Sequence, residues 1–258
     1  MESPIKTGVS FYTTTYKRNE QIKQTLLQNL QDNVQYKNVE FILVDFNPDK
    51  ILEFWIKNTC QKYLKSGLLK YYKIDHEKVE WFWHASIAKN TGAKLTNYSI
   101  IFNLDNDNFV GQNLVKLLLH IFNTTKNICI QDHDIADNSV LHDGTYGRIC
   151  CTREDFFKLR GYDESMYGMG AQDLDLIYRL TRGLKNKIIR KYLDPTLKQK
   201  SLPNPKTDSV RYCKNNQMSW NEMNQYNHNK MVSRDLAEVV NSDKDYFGIN
   251  LDHIYEPL

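Results

Sequence analysis

The chain has 258 residues and a formal net charge of +3, with 41% hydrophobic and 25% charged residues, which is ordinary for a globular protein. This charge is too small to indicate a nucleic-acid-binding protein, although it is compatible with an anionic small molecule as ligand. The first residues lack the basic and apolar segments of a secretory signal, and no later stretch is apolar enough to span a membrane. We therefore expect a cytoplasmic protein without a transmembrane segment, and the oligomeric state is not indicated.

Strand-like and helix-like segments alternate through the first half of the chain. Short apolar runs predict strands at residues 8–15, 39–46, 67–74 and 98–104. Amphipathic or longer apolar patterns predict helices at residues 19–33, 51–64, 84–95 and 111–122. This alternation predicts βαβ units, and hence an α/β fold with a mostly parallel central sheet flanked by helices.

The second half of the chain has a different organisation. The sequence predicts strands at residues 127–130 and 146–152, a polar loop at 132–144, a glycine-bearing loop at 163–170, and helices at 153–161 and 172–183. Three prolines then interrupt the pattern, and the polar tail shows one further helix near residues 232–240. We expect one α/β domain at residues 1–200 and a C-terminal extension at residues 201–258 packed on it.

The cysteines favour reduced, buried thiols over disulfides or a zinc site. There are five of them, an odd number without the paired spacing of zinc ligands. They are Cys60, Cys129, Cys150, Cys151 and Cys213.

Polar clusters follow three of the predicted strands, at residues 13–18, 45–47 and 105–108. In open α/β sheets, ligands bind beyond the carboxyl ends of the strands. In the third cluster, Asp105 and Asp107 are spaced so that a tight turn can direct both carboxylates to one hard cation. The alternative is a polar turn that caps the next helix. An EF-hand is excluded because its fifth and sixth positions would be Phe109 and Val110.

A second acidic cluster begins the predicted helix at residues 172–183. The glycines Gly168 and Gly170 precede Asp173 and Asp175 in the first turn of this helix. These acids could simply stabilise the helix dipole. Alternatively, the glycines allow a substrate to approach the backbone, and Asp173 accepts a proton from it.

The order and spacing of these motifs resemble nucleotide-sugar glycosyltransferases of the GT-A fold, family 2-like. The segments that carry the resemblance are residues 9–33, 39–50, 84–93 and 102–111. Residues 147–180 resemble the C-terminal catalytic region of β-1,4-galactosyltransferase-type enzymes, and the whole resemblance covers residues 8–185. It implies a GT-A, Rossmann-like fold.

The resemblance implies a donor site and a metal site. Asp105 and Asp107, in a D-x-D motif, would bind Mn²⁺ or Mg²⁺ and through it the donor diphosphate, with His228 as a third metal ligand. The residues expected to bind the donor are Thr13, Arg18, Asp45, His84, Lys89, Asn90 and Asp105.

The resemblance also implies an acceptor site, in which Asp173 is the general base and Gly170, Gln172 and Asp173 bind the acceptor. Two residues depart from the family pattern. Gln172 stands where the family usually has Glu, which puts the choice of sugar or acceptor in doubt. Met169 replaces an aromatic residue often found between the loop glycines, and this removes a ring that could stack on a sugar.

The expected reaction is metal-dependent transfer of a hexose from a nucleotide diphosphate sugar to a hydroxyl acceptor, with inversion. A UDP-sugar is favoured by the resemblance alone, and the acceptor would be a glycan, a glycoconjugate or a protein. Two alternatives remain: a nucleotidyltransferase that acts on sugar phosphates, and a catalytically degenerate carbohydrate-binding protein.

Overall fold

A computed structural model describes residues 5–133, 144–203, 210–214, 217–235 and 239–258, and within these ranges eight strands form one mixed sheet. The strands are β1 (Lys6–Thr15), β2 (Val39–Asp45), β3 (Leu69–Ile74), β4 (Tyr98–Asn103), β5 (Ile128–Gln131), β6 (Ile149–Thr152), β7 (Lys187–Arg190) and β8 (Ile254–Tyr255). Their order is β7-β5-β6-β4-β1-β2-β3-β8. Strand β1 pairs in parallel with β2 and β4, β2 with β3, and β5 with β7, whereas β6 and β8 pair antiparallel with their neighbours. The predicted α/β fold with a mostly parallel sheet is confirmed.

Eight α-helices lie in the described ranges and flank the sheet. They are α1 (Asn19–Asn33), α2 (Ile51–Thr59), α3 (Gln61–Lys65), α4 (Ala85–Lys94), α5 (Leu114–Thr124), α6 (Arg153–Lys158), α7 (Gln172–Tyr178) and α8 (Trp220–Val232). Helix α7 continues into a π-helical turn, Arg179–Gly183. None of the described helices is long and apolar enough to cross a membrane.

Successive strand residues point to opposite faces of the sheet, and this alternation produces two cores. Phe11 packs with helices α1, α2 and α5 on one face, where its ring lies 4.9 Å from that of Phe41. The next residue, Tyr12, packs with residues of α4, α6 and α7 on the other face. All five cysteines are buried, as predicted.

Two predicted helices were wrong in detail, and two strands were not predicted. The helix predicted at residues 51–64 is two helices, because the chain turns at Cys60, whose N–H donates to the Ile56 carbonyl. Strands β7 and β8 were not predicted. The C-terminal helix is α8 and ends where the predicted helix at residues 232–240 was to begin, although residues 236–238 lie outside the described ranges. The predicted polar loop lies mostly outside them as well.

Residues beyond 200 contact the sheet and the loops above it. Strand β8 pairs with β3 and forms the edge of the sheet, and α8 is hydrogen-bonded to the loop that precedes α7. The boundary between the domain and the extension at residue 200 stays a prediction.

A buried ion pair joins the ends of β5 and β6. The guanidinium of Arg148 donates through Nε to Asp132 Oδ2 at 3.0 Å, and the N–H of Leu193 donates to Asp132 Oδ1 at 2.7 Å. Asp132 and Arg148 are 2% and 1% exposed. Since neither charge is hydrated, each depends on its partner.

We expect Asp132→Ala to lower the free energy of unfolding by about 3–5 kcal/mol, because it leaves the Arg148 charge buried and unpaired. Urea denaturation measures this loss, with the exposed Asp243→Ala as matched control. The double variant Asp132→Leu, Arg148→Met should recover part of it. A loss of less than about 1 kcal/mol would contradict the assignment of this pair as a structural requirement.

Candidate active site

A cleft of about 1090 Å³ opens at the carboxyl ends of β1 and β4. Its volume is at the upper end of the range of small-molecule sites. The predicted site residues that line it are Arg18, Lys89, Asp105, Gly170, Gln172, Asp173 and His228. Thus residues from both halves of the chain meet in one cavity, whereas Thr13, Asp45, His84, Asn90 and Asp107 are not among its lining residues.

The ammonium group of Lys89 joins two acids of this cleft. Lys89 Nζ lies 2.7 Å from Asp173 Oδ1 and 3.5 Å from Asp105 Oδ1, and 5.3 Å from the centroid of the Tyr162 ring. The lysine is only 7% exposed. Burial acts to lower the pKa of Lys89, but the charges of Asp105 and Asp173 outweigh it and hold this pKa above its ordinary value. Lys89 is therefore a fixed positive charge between the two carboxylates.

Asp105 follows β4 and extends into the cleft. Its Oδ1 accepts a hydrogen bond from Asn103 Nδ2 at 3.1 Å, and one third of its side chain is exposed. A methyl group on Gly147 would lie 2.5 Å from Asp105 Oδ2 and 3.2 Å from Lys89 Nζ. The absence of a side chain at Gly147 therefore provides the space that the Asp105 carboxylate occupies.

Asp107 is completely buried beneath the cleft. Asn108 Nδ2 donates to Asp107 Oδ1 at 2.6 Å, and the backbone carbonyl of Asp107 accepts a hydrogen bond from the N–H of Leu202 at 2.7 Å. The described residues contain no cluster of three or more His, Cys, Asp or Glu side chains that could hold a metal ion. However, Asp105 offers an open carboxylate, and Mg²⁺ or Mn²⁺ can be held by one or two carboxylates together with water and substrate phosphates. The cleft fits a metal bound in this way.

The loop before α7 is held in place by two side-chain amides. Gln172 Nε2 donates to the Tyr167 carbonyl at 2.8 Å, and Asn227 Nδ2 of α8 donates to the carbonyls of Met169 and Gly170 at 3.2 and 2.8 Å. Gly170 and Ala171 have φ angles of +100° and +60°. The chain therefore makes a sharp turn that presents Asp173 to the cleft.

Some residues predicted to bind the donor make contacts that hold the fold together. Asn90 is buried and links α4 to a distant loop, since its amide donates to the Tyr162 carbonyl at 2.9 Å and its Oδ1 accepts from the Tyr162 N–H at 2.7 Å. His84 caps α4 by accepting the Ile87 N–H at Nδ1. Thr13 is buried, and its neighbour Thr14 lines the cleft. Contacts of these three residues with a donor stay predictions.

Asp45 lies in a buried network at the end of β2. It accepts hydrogen bonds from the Tyr71 hydroxyl at 2.7 Å and from the backbone and side chain of Asn47 at 2.8 and 2.7 Å. Burial raises the pKa of Asp45, although Lys73, 3.6 Å away, acts to lower it. Its predicted place near the base or ribose of a donor stays a prediction.

Several aromatic residues line the cleft, and sequence reasoning missed Tyr16, Tyr212 and Trp220 among them. Tyr16 and Trp83 lie parallel, with ring centroids 6.4 Å apart, and Tyr212 packs edge-on against Tyr16. Trp220 also lines the cleft. Tyr16 lies within the polar cluster at residues 13–18, so its position after a strand could have identified it. Tyr212 and Trp220 lie in the polar extension, where no periodic pattern distinguishes them.

The sequence matches the family described as glycosyl transferase family 2 over residues 10–193. A comparison with curated proteins finds no match.

Solved structures share the fold at low sequence identity. A mannosyltransferase from Pyrobaculum calidifontis in complex with GDP-Man and Mn²⁺ has a TM-score of 0.55 at 13% identity, and the match covers 74% of this chain and 59% of that one. S. aureus TarS in complex with UDP-GlcNAc has a TM-score of 0.56 at 11% identity, with 85% and 70% covered. A mutant of Drosophila β1,4-galactosyltransferase 7 with manganese, UDP-Gal and xylobiose has a TM-score of 0.53 at 14% identity, with 89% and 81% covered. These similarities confirm the predicted GT-A architecture.

The cap of α4 should make stability depend on pH. Burial lowers the pKa of His84 below its ordinary value of 6.5, so the unfolded chain binds this proton more readily than the folded one. Stability should therefore fall as the pH drops through 6.5. His84→Asn keeps a capping side chain but does not titrate. Between about pH 7.5 and pH 5.5, we expect its free energy of unfolding to fall by up to about 1 kcal/mol less than that of the wild type.

Urea denaturation of both proteins at the two pH values measures the difference, and the other histidines cancel because they are common to both. Equal losses in the two proteins would show that protonation of His84 does not weaken the cap.

Proposed function

The chain belongs to glycosyl transferase family 2, and we propose that it transfers a hexose from a nucleotide diphosphate sugar to an acceptor hydroxyl, with inversion at the anomeric carbon. The family assignment confirms the predicted enzyme class, a glycosyltransferase. The observation that supports the proposal most strongly is the shared contact of Lys89 with Asp105 and Asp173. Through it, the expected anchor of the leaving group and the expected base face the same point of one cleft.

The donor diphosphate is proposed to bind beside Asp105. Arg18 and Lys89 are the lysine and arginine side chains among the described lining residues, and both can neutralise phosphate oxygens. Bound Mn²⁺ or Mg²⁺, held by Asp105 and also by Asp107 and His228 if they move toward it, would offset charge on the leaving diphosphate. UDP-sugars accompany two of the three similar structures, TarS and the Drosophila enzyme, which favours UDP over GDP.

Asp173 is the proposed general base. Its carboxylate accepts the proton of the acceptor hydroxyl while the acceptor oxygen attacks the anomeric carbon and the bond from that carbon to the diphosphate breaks. The attacking and leaving oxygens lie on opposite sides of the carbon, so its configuration inverts. Lys89 holds Asp173 in position through the 2.7 Å contact, and the electron pair of the broken bond leaves with the diphosphate.

We expect Asp173→Asn to lower the transfer rate by roughly 10² to 10⁴. The asparagine oxygen can still accept the hydrogen bond from Lys89, so the local geometry and the affinity for UDP should change little. Release of the nucleoside diphosphate measures the rate, calorimetry measures UDP affinity, and Asp243→Asn is the exposed control. A transfer rate near that of the wild type, with UDP binding intact, would show that Asp173 is not the base.

We expect Asp105→Asn to weaken the metal-dependent part of UDP binding by at least about tenfold. Thermal unfolding provides a measurement independent of turnover, because a ligand that binds the folded state raises Tm by mass action. The Tm of the wild-type protein with UDP should rise when Mn²⁺ is added and return to its earlier value when EDTA is added. The Tm of Asp105→Asn should rise little on addition of Mn²⁺. Equal metal-dependent gains in the two proteins would rule out Asp105 as a metal ligand.

A further inference from the structure

One face of α8 forms a wall of the cleft. Trp220, Asn224 and His228 follow one another at intervals of four residues, which places them along one side of a helix, and all three line the cavity. The buried residues of α8, Met223, Asn227 and Met231, form an adjacent row, because each follows a cleft residue by three positions. The helix therefore packs with one row of side chains and lines the cleft with the row beside it.

This helix is fixed directly against the loop that carries the proposed base. A methyl group on Gly170 would lie 2.7 Å from Asn224 Cα, so the two backbones approach as closely as only glycine allows. The Tyr167 N–H donates to Asn227 Oδ1 at 2.7 Å, and the rings of Tyr167 and Tyr226 stack with centroids 4.1 Å apart. The cleft-facing side of α8 is thus held at a set position relative to Asp173.

The two sides of the cleft differ in charge. Arg18, Lys89 and Asp105 come from the N-terminal half and surround the proposed diphosphate position. The cleft face of α8 presents an indole ring, amides and an imidazole, but no lysine, arginine or carboxylate. Among the described residues, the side-chain amides of Asn221 and Asn224 are not engaged in hydrogen bonds within the protein.

We propose that Trp220, Asn221 and Asn224 on this face of α8 form the acceptor subsite and that the acceptor is a neutral sugar, an inference that rests on the glycosyltransferase function proposed above. An aromatic ring stacks on the apolar face of a pyranose, and an amide both donates to and accepts from hydroxyl groups. Trp220 supplies a ring from α8 where Met169 supplies none from the loop. Since the family match ends at residue 193, acceptor choice would be set by a segment outside the matched region.

Saturation-transfer difference NMR on the full chain with UDP and MgCl₂ tests this subsite. The probes are the methyl α- and β-glycopyranosides of glucose, galactose and mannose, with glucose 6-phosphate and a short serine-containing peptide as comparators. We expect signals from at least one methyl glycoside and weaker signals from the comparators. Trp220→Ala should raise the Kd of that glycoside at least about tenfold, and Asn224→Ala should also weaken binding.

Trp220→Phe, which keeps a ring, should retain most of the affinity, and Gln225→Ala, an exposed neighbour on α8, should match the wild type. The signals of UDP in the same samples report folding and the donor site. Glycoside binding that is unchanged in Trp220→Ala, or a peptide that binds in place of the glycosides, would overturn the subsite. UDP signals without glycoside signals in the wild type would overturn it and leave the proposed function standing, whereas absence of UDP signals would overturn both.

Discussion

The buried ammonium group of Lys89 sets the geometry of the cleft, because a charge removed from water costs several kcal/mol unless opposite charges surround it. The two carboxylates that surround it come from distant segments: Asp105 follows β4, and Asp173 lies in the first turn of α7. The Lys89 ammonium group therefore lies between the residues that follow β4 and the first turn of α7. Neither carboxylate can move far without leaving the positive charge of Lys89 poorly neutralised. The expected donor site at Asp105 and the expected acceptor site at Asp173 are therefore linked through this lysine.

Two asparagines keep the surroundings of this cation in place. Asn90 follows Lys89 on α4 and ties it to the chain at Tyr162, while Asn227 on α8 ties down the loop before Asp173. Each is completely buried, and each makes several hydrogen bonds to backbone groups of a segment far away in the sequence. Much of the polarity near the cleft thus maintains its shape and is not available to a substrate.

The elements around β1 were predictable, and the roles of single polar residues were much less so. Helix α1 has the predicted bounds, because Ile22, Leu26 and Leu30 bury one face of an otherwise polar segment. Helix α8 was missed because its buried face is sparse and includes Asn227, although the capping box of Ser219 and Glu222 marks its start. Asp45 was predicted as a ligand because it ends a strand in a polar cluster and through the family resemblance, and Asn90 through the resemblance alone. Their partners, Tyr71 and Tyr162, come from other segments, so sequence spacing could not distinguish a satisfied side chain from one that faces the cleft.

The hydrogen bond from Gln172 to the Tyr167 carbonyl restricts how this region can diverge. A glutamate at position 172 would carry no donor, and its carboxylate would meet a carbonyl oxygen in a site that is 4% exposed. The residue type at position 172 and the conformation of the loop backbone therefore depend on each other. A lineage that exchanges the amide for an acid there must first or simultaneously reshape the loop, so the order of substitutions matters as much as their identity.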